Sequence, residues 1–195
     1  MKLNTSLNSY PIFPDWVFEG QLPIDDNIIN SVLSEIQLNK EKDHIHYSHF
    51  GWISNKHVLL GNNHANLNSL IGNMFINNVA PHFRLNKDLT SRIKIYESWF
   101  LGIKPTYNFP HDIHRHRWYH AVVFLKANKK SSNLFFDQHN TKLYSSPPGV
   151  QPYEHIIESD QNKIIFFPGH LPWGFTPNNS SNDTIVFCNS FIIQQ

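Results

Sequence analysis

At 195 residues, with 40% hydrophobic and 14% aromatic content, the chain has the length and apolar mass to bury a core of its own, which excludes intrinsic disorder. Sixteen Lys and Arg against fifteen Asp and Glu leave a formal charge of +1, too small to draw the chain to nucleic acid or an anionic membrane. One cysteine, Cys188, excludes an internal disulfide framework and suits a reducing compartment.

No stretch approaches the roughly 20 apolar residues of a membrane span, and residues 1–10 lack the apolar centre of a signal peptide. The expectation is a soluble, cytoplasmic chain forming a single domain over 1–195.

The first 91 residues read as a helical, mixed region. After a proline-punctuated stretch, PIFPDWVFEGQLP, Asp25 or Asp26 caps a helix whose face is Ile28, Ile29, Val32, Leu33 and Ile36. The segment HFGWISNKHVLLG, 49–61, reads as a short strand or loop. A second helical face follows at Leu67, Leu70, Ile71, Met74, Phe75 and Val79, ended by Pro81. From 92 onward the chain changes to short runs of β-branched and aromatic residues at 93–100, 119–125, 134–136, 156–158, 164–167 and 184–193. Turn-forming segments at 104–110, 128–133, 145–152 and 177–183 separate them. Many short strands at this spacing predict an antiparallel sandwich or barrel with helices packed outside.

The densest chemical signal is PHDIHRHRWYH, 110–120, running into the apolar strand at 121–125. In an extended segment, residues two apart share a face, so His114 and His116 point together, with Asp112 and His120 on that face if the extension continues. Two adjacent imidazoles suit Fe, Zn, Cu or Ni. A third ligand must come from another strand, and His139, His155 and His170 are the downstream candidates. His170 has the most suggestive setting, FFPGHLPW.

Other histidines carry less. His44, His46 and His49 also alternate, but they fall outside this region and read as exposed or loop-packing. The total of thirteen accompanies abundant Asn, Lys and Ile, a codon bias rather than a design. Trp99, Trp118 and Trp173 read as barrel filling before ligand recognition. Asp137 with Gln138 and His139 reads as a turn, 147–149 as a proline-glycine turn, and Cys188 as core. No glycine-rich phosphate loop and no Gly-x-Ser-x-Gly elbow is present.

With these pieces in order, the chain resembles the small 2-oxoglutarate- and Fe(II)-dependent oxygenases of bacteria and tailed phages, related in fold to prolyl 4-hydroxylases. The pieces are the opening PIFPDWVFEGQLP, GWISN at 51–55, ESWF at 97–100, DIHRH at 112–116, VFL at 123–125 and LFFD at 134–137. FPGHLP at 167–172, Pro177-Asn178 and the strand at 185–191 complete the set. The resemblance implies a mainly β fold with flanking helices, the double-stranded β-helix or cupin-like jelly roll, with its β core over 92–195.

It also implies Fe(II) in a facial triad and bound 2-oxoglutarate, with His114 and His116 as the first motif, while His170 serves as the third ligand only if its strand or loop shifts. The resemblance would place the distal histidine directly after Leu171-Pro172, where Trp173 stands. It would place the arginine that grips the co-substrate's far carboxylate near Thr184, and no arginine follows Arg117. Lys126 and Lys163 are the available point charges. Three functions stay open: an oxygenase hydroxylating a protein side chain or small molecule, a catalytically silent binding or structural module of phage or accessory type, and a three-histidine cupin-like metalloprotein that does not use 2-oxoglutarate. Segments 104–110 and 145–153 are the loops expected to choose a substrate.

Overall fold

The computed structural model describes residues 7–12, 15–40, 42, 44–112, 116–137 and 154–194. The predicted metal residue His114, Gln138 and His139 of the predicted turn, and the whole loop at 145–153 lie outside the described residues.

The chain opens with β1 (Asn8–Ile12) and β2 (Asp15–Gln21), then α1 (Asp26–Asn39), β3 (Ile45–Ser48), β4 (Gly51–Ser54) and α2 (Asn62–Met74). A π-helical turn, Phe75–Val79, and a 3-10 turn, Ala80–Phe83, lead to α3 (Lys87–Ser91) and the long β5 (Ile93–Ile103). Then follow β6 (Phe109–Asp112), β7 (Tyr119–Lys126), β8 (Leu134–Asp137), β9 (Glu154–Ile157), β10 (Lys163–Pro168), β11 (Trp173–Phe175) and β12 (Thr184–Ile193).

The predicted strands after residue 92 are all present, within three residues at each end. Four strands come from the first 91 residues, where helices dominated the sequence reading. The proline-punctuated opening forms β1 and β2, and of the alternating histidines at 44–49 only His46 lies on β3, an edge strand with His46 and Tyr47 exposed. Pro81 does not stop the second helix outright; the chain tightens into the 3-10 turn, where a proline near the start lacks only a donor that needs no partner.

Two antiparallel sheets face each other. The larger has the order β1-β2-β10-β7-β12-β5-β4-β3 and the smaller β6-β11-β8-β9. The helices cover the outer face of the larger sheet. Asp25 starts α1 by accepting the Ile28 N–H at 2.9 Å, a cap of about 1 kcal/mol. The helix then buries Ile29, Val32 and Ile36 against the sheet, leaving Ile28 exposed at the margin of the stripe.

Because the central strands are covered on both sides, they alternate between two cores. On β7, Ala121, Val123 and Leu125 join the helix-side core with Phe75, Phe100 and Phe166, while Val122 and Phe124 join the core between the sheets. This explains why β7 reads as a continuous apolar run instead of an alternating one. Among the described residues no helix is long and apolar enough to cross a membrane.

Candidate functional site

The space between the sheets is where this architecture holds chemistry, and its contents follow from strand alternation. Trp99 and Leu101 of β5, Val122 and Phe124 of β7, Phe167 of β10, and Val186 and Cys188 of β12 project inward from the larger sheet. Phe136 of β8 and Trp173 and Phe175 of β11 meet them from the smaller one.

Trp173, fully buried, opens β11 in register with Asp112 of β6 on one side and Phe136 of β8 on the other. Its ring lies 5.7 Å from Phe167, 5.8 Å from Phe175, 5.9 Å from Phe109 and 6.0 Å from His120, measured between centroids. Phe136 continues the stack at 4.9 Å from Phe167, and Phe124 at 5.9 Å from Phe175. Such separations are those of packed aromatic pairs. The barrel interior is an aromatic column.

One end of that column is polar. His120 is 1% exposed and its Nδ1 donates to the Asn189 carbonyl at 3.3 Å. Beside it Glu97, buried on β5, lies 3.2 Å from Arg117 Nη2 and 3.9 Å from the exposed His57, and accepts from Ser190 Oγ at 3.4 Å. The Arg117 guanidinium stacks over Tyr96 at 4.0 Å, and Lys56 Nζ sits 4.6 Å over the Trp99 ring. A bulge opposite Ser190 and Phe191 turns Tyr96 outward while Glu97 keeps its inward face. Removing the guanidinium would leave a buried carboxylate short of its cation. Arg117→Met should therefore cost about 1–2 kcal/mol, and Glu97→Gln in that background should recover most of it in urea titrations.

The predicted site residues fall around this framework rather than together. The extended run expected from 110 to 125 is two strands in two sheets: β6 ends at Asp112, residue 116 is a turn, and β7 begins at Tyr119. His120 therefore faces inward by the alternation of β7, not as the continuation of a strand through 114 and 116. His116 is exposed and lines a shallow depression of about 410 Å³ with Trp118, Ile192, Ile193 and Gln194, beyond the end of β12. His170, in the turn after β10, is also exposed, and its Nε2 lies 2.9 Å from Asp15 Oδ2 at the start of β2. Strands β10 and β7 separate β2 from β12 in the larger sheet.

At the other end of the column Thr184 is fully buried, and its Oγ1 accepts the Ser132 N–H at 3.1 Å. Lys163 Nζ is engaged by Glu19 at 2.9 Å and by the Glu158 carbonyl at 2.7 Å. Lys126 is exposed on the opposite, helix-covered side of the sheet. A bulge between Ile185 and Val186 of β12 opposes it to Ile185, so Leu125 and Lys126 both leave the barrel face. Among the described residues no three His, Cys, Asp or Glu side chains converge to hold a metal. Sequence reasoning missed Glu97, Arg117 and Ser190; the only signal was Glu97, a charged residue within an apolar strand.

No family model matches the chain, and no curated protein matches it. Solved structures do. A prolyl-4-hydroxylase of Pseudomonas putida superposes with a TM-score of 0.61 at 10% identity, over 92% of each chain. The non-heme alpha-ketoglutarate-dependent epimerase SnoN from nogalamycin biosynthesis gives 0.64 at 8% identity, over 90% of this chain and 78% of that one. HygX from Streptomyces hygroscopicus, solved with nickel and 2-oxoglutarate bound, gives 0.60 at 10% identity, over 90% and 81%. This chain has the fold of the 2-oxoglutarate/Fe(II) oxygenases.

The fold does not carry the cofactor fit with it. At the position where the resemblance would put a distal ligand, Trp173 is fully buried. Where the resemblance would put a guanidinium, the buried Thr184 uses its hydroxyl to accept a backbone N–H. Neither lysine offered in its place reaches the interior as a free charge. The described residues do not fit 2-oxoglutarate.

Proposed function

We propose that this protein is a catalytically silent oxygenase-fold module, one whose barrel has been given over to packing and which acts by binding. The observation that supports this reading most strongly is Trp173, buried at the head of β11 within contact of four other aromatic rings. A co-substrate in that barrel would have to displace the indole and the stack beneath it. Each large aromatic expelled from a core forfeits about 3–5 kcal/mol.

The oxygenase reading keeps one observation in its favour. The barrel mouth holds a buried Glu97 and His120 where β6 ends at Asp112, so ionisable groups remain at the end from which the predicted ligand His114 continues. In that reading Fe(II) and 2-oxoglutarate are the cofactors, and a protein side chain or small molecule is the substrate. A three-histidine metalloprotein would need the metal alone.

One experiment separates the three. The full chain is incubated in air with Fe(II), ascorbate and 2-oxoglutarate, succinate is measured by NMR, and metal content is measured on the protein recovered. No succinate above the protein-free control is expected, and no change in thermal midpoint with 2-oxoglutarate. A bound co-substrate at 100 times its Kd would add about 2.7 kcal/mol. Succinate with stoichiometric iron would establish the oxygenase; metal without succinate would establish the metalloprotein.

A further inference from the structure

On the outer side of the larger sheet, away from the barrel, the C-terminal half of α1, Trp52 of β4 and the start of β12 enclose a cavity of about 380 Å³. Two lysines line it, Lys40 at the end of α1 and Lys126 at the end of β7. Among the described residues neither has a carboxylate within ion-pair distance, although Asp183 lines the same cavity. Gln37 and Asn182 add amide groups to its wall.

Three local constructions hold these groups in place. The β-bulge that removes Lys126 from the barrel is what delivers it here. The Trp52 indole lies flat on the bare backbone of Gly102, where any Cβ would collide with it. Gly51, at φ +145°, brings the backbone of β4 so close to the Gly102 carbonyl that only glycine fits. Lys40 Nζ then rests 5.2 Å over the indole, a cation–π contact that limits where the ammonium swings. On the far wall, the buried Asn178 donates to the Ile103 and Asn182 carbonyls, both at 2.8 Å. Ser180 Oγ also donates to the Asn182 carbonyl, at 2.6 Å, so the loop presenting Asn182 and Asp183 is tied to β5.

Two lysines lining one cavity act as point charges and suit a phosphate dianion. A lone carboxylate with two amides beside them repels a second anion but accepts and donates to hydroxyl groups. The volume falls within the usual range for small-molecule sites. We infer that this cavity binds a small phosphorylated polyol, phosphate toward Lys40 and Lys126 and hydroxyls toward Asp183, Gln37 and Asn182. The inference stands on its own observations and not on the filled barrel. Succinate formation would overturn the earlier proposal and leave this one standing.

The test is calorimetric titration of the full chain at low salt with glucose 6-phosphate, inorganic phosphate and glucose. Glucose 6-phosphate should bind at least about tenfold tighter than inorganic phosphate, with glucose not binding, and Lys126→Met should weaken it by about tenfold or more. Asp183→Asn, which removes the carboxylate and keeps the shape, should narrow the gap between the sugar phosphate and inorganic phosphate. The inference fails if glucose 6-phosphate gives no binding in the millimolar range. It fails equally if inorganic phosphate binds as well as the sugar phosphate, or if Lys126→Met leaves the affinity unchanged.

Discussion

Trp173→Ala should destabilise the protein by about 3–5 kcal/mol, the range for deleting a large aromatic from a closed core. The reason is geometric. Trp173 is fully buried between β6 and β8, and Phe109, Phe167, Phe175 and His120 all rest against its ring. Truncation leaves those neighbours facing a void that the surrounding strands cannot close without shifting register. Urea unfolding followed by tryptophan-independent far-UV dichroism measures it. A loss below about 1 kcal/mol is what a pocket-lining side chain on an open site would give, and it would return the barrel to the list of ligand cavities. Trp173→His probes the same position from the oxygenase side. If the aromatic column is structural, the imidazole should cost nearly as much as alanine and restore no succinate formation.

The second half of the fold was legible because its strands carry their own punctuation. Residues 93–103, 119–126 and 184–193 are apolar runs between turn-forming segments, and the larger sheet is centred on them. Two short strands, β6 and β11, were not legible. β11 is the three residues Trp173, Gly174 and Phe175, and β6 contains Pro110, so neither offers a period long enough to read. Partner strands, not local preference, make these segments extended.

The site divides the same way. That a histidine would be expected at Trp173 and an arginine near Thr184 came from the resemblance to the oxygenases, and the structure shows both residues fully buried. Where Lys126 points could not be read, because one bulge reverses the alternation of β7, and a bulge leaves no mark in the sequence of a strand. His170 was legible as a residue and not as a place. Its turn follows β10 directly, which carries the ring outward to Asp15 and away from the barrel. His120 had been grouped with 114 and 116 on one imagined strand. The break between the two sheets assigns it to β7 and the inner face alone.

On the acid side, a large pH effect is expected from a histidine that no motif singled out. His64 on α2 is fully buried against Phe100 and Phe187, with ring centroids at 4.7 and 5.0 Å. Its Nδ1 accepts the Leu60 N–H at 3.0 Å, so the remaining proton sits on Nε2, which is buried with no partner. Burial pushes its pKa down to about 4, and the nearby Glu35 carboxylate, which accepts the backbone N–H groups of Asn63 and His64, offsets part of that fall.

In the unfolded chain the same imidazole titrates at about 6.5. Between those values the unfolded state holds a proton that the folded state refuses. The contribution of His64 is therefore intact above about pH 6.5 and is lost as the pH falls toward 4, by roughly 3 kcal/mol in all. The asparagine variant His64→Asn keeps an acceptor for the Leu60 N–H and cannot titrate. It should start less stable at pH 7.5, because the ring leaves a cavity, yet lose about 2.5 kcal/mol less than the parent chain on going to pH 4.5. Parallel stability curves for the two chains across that interval would mean that the imidazole takes up its proton within the fold, and that α2 yields there to let water in.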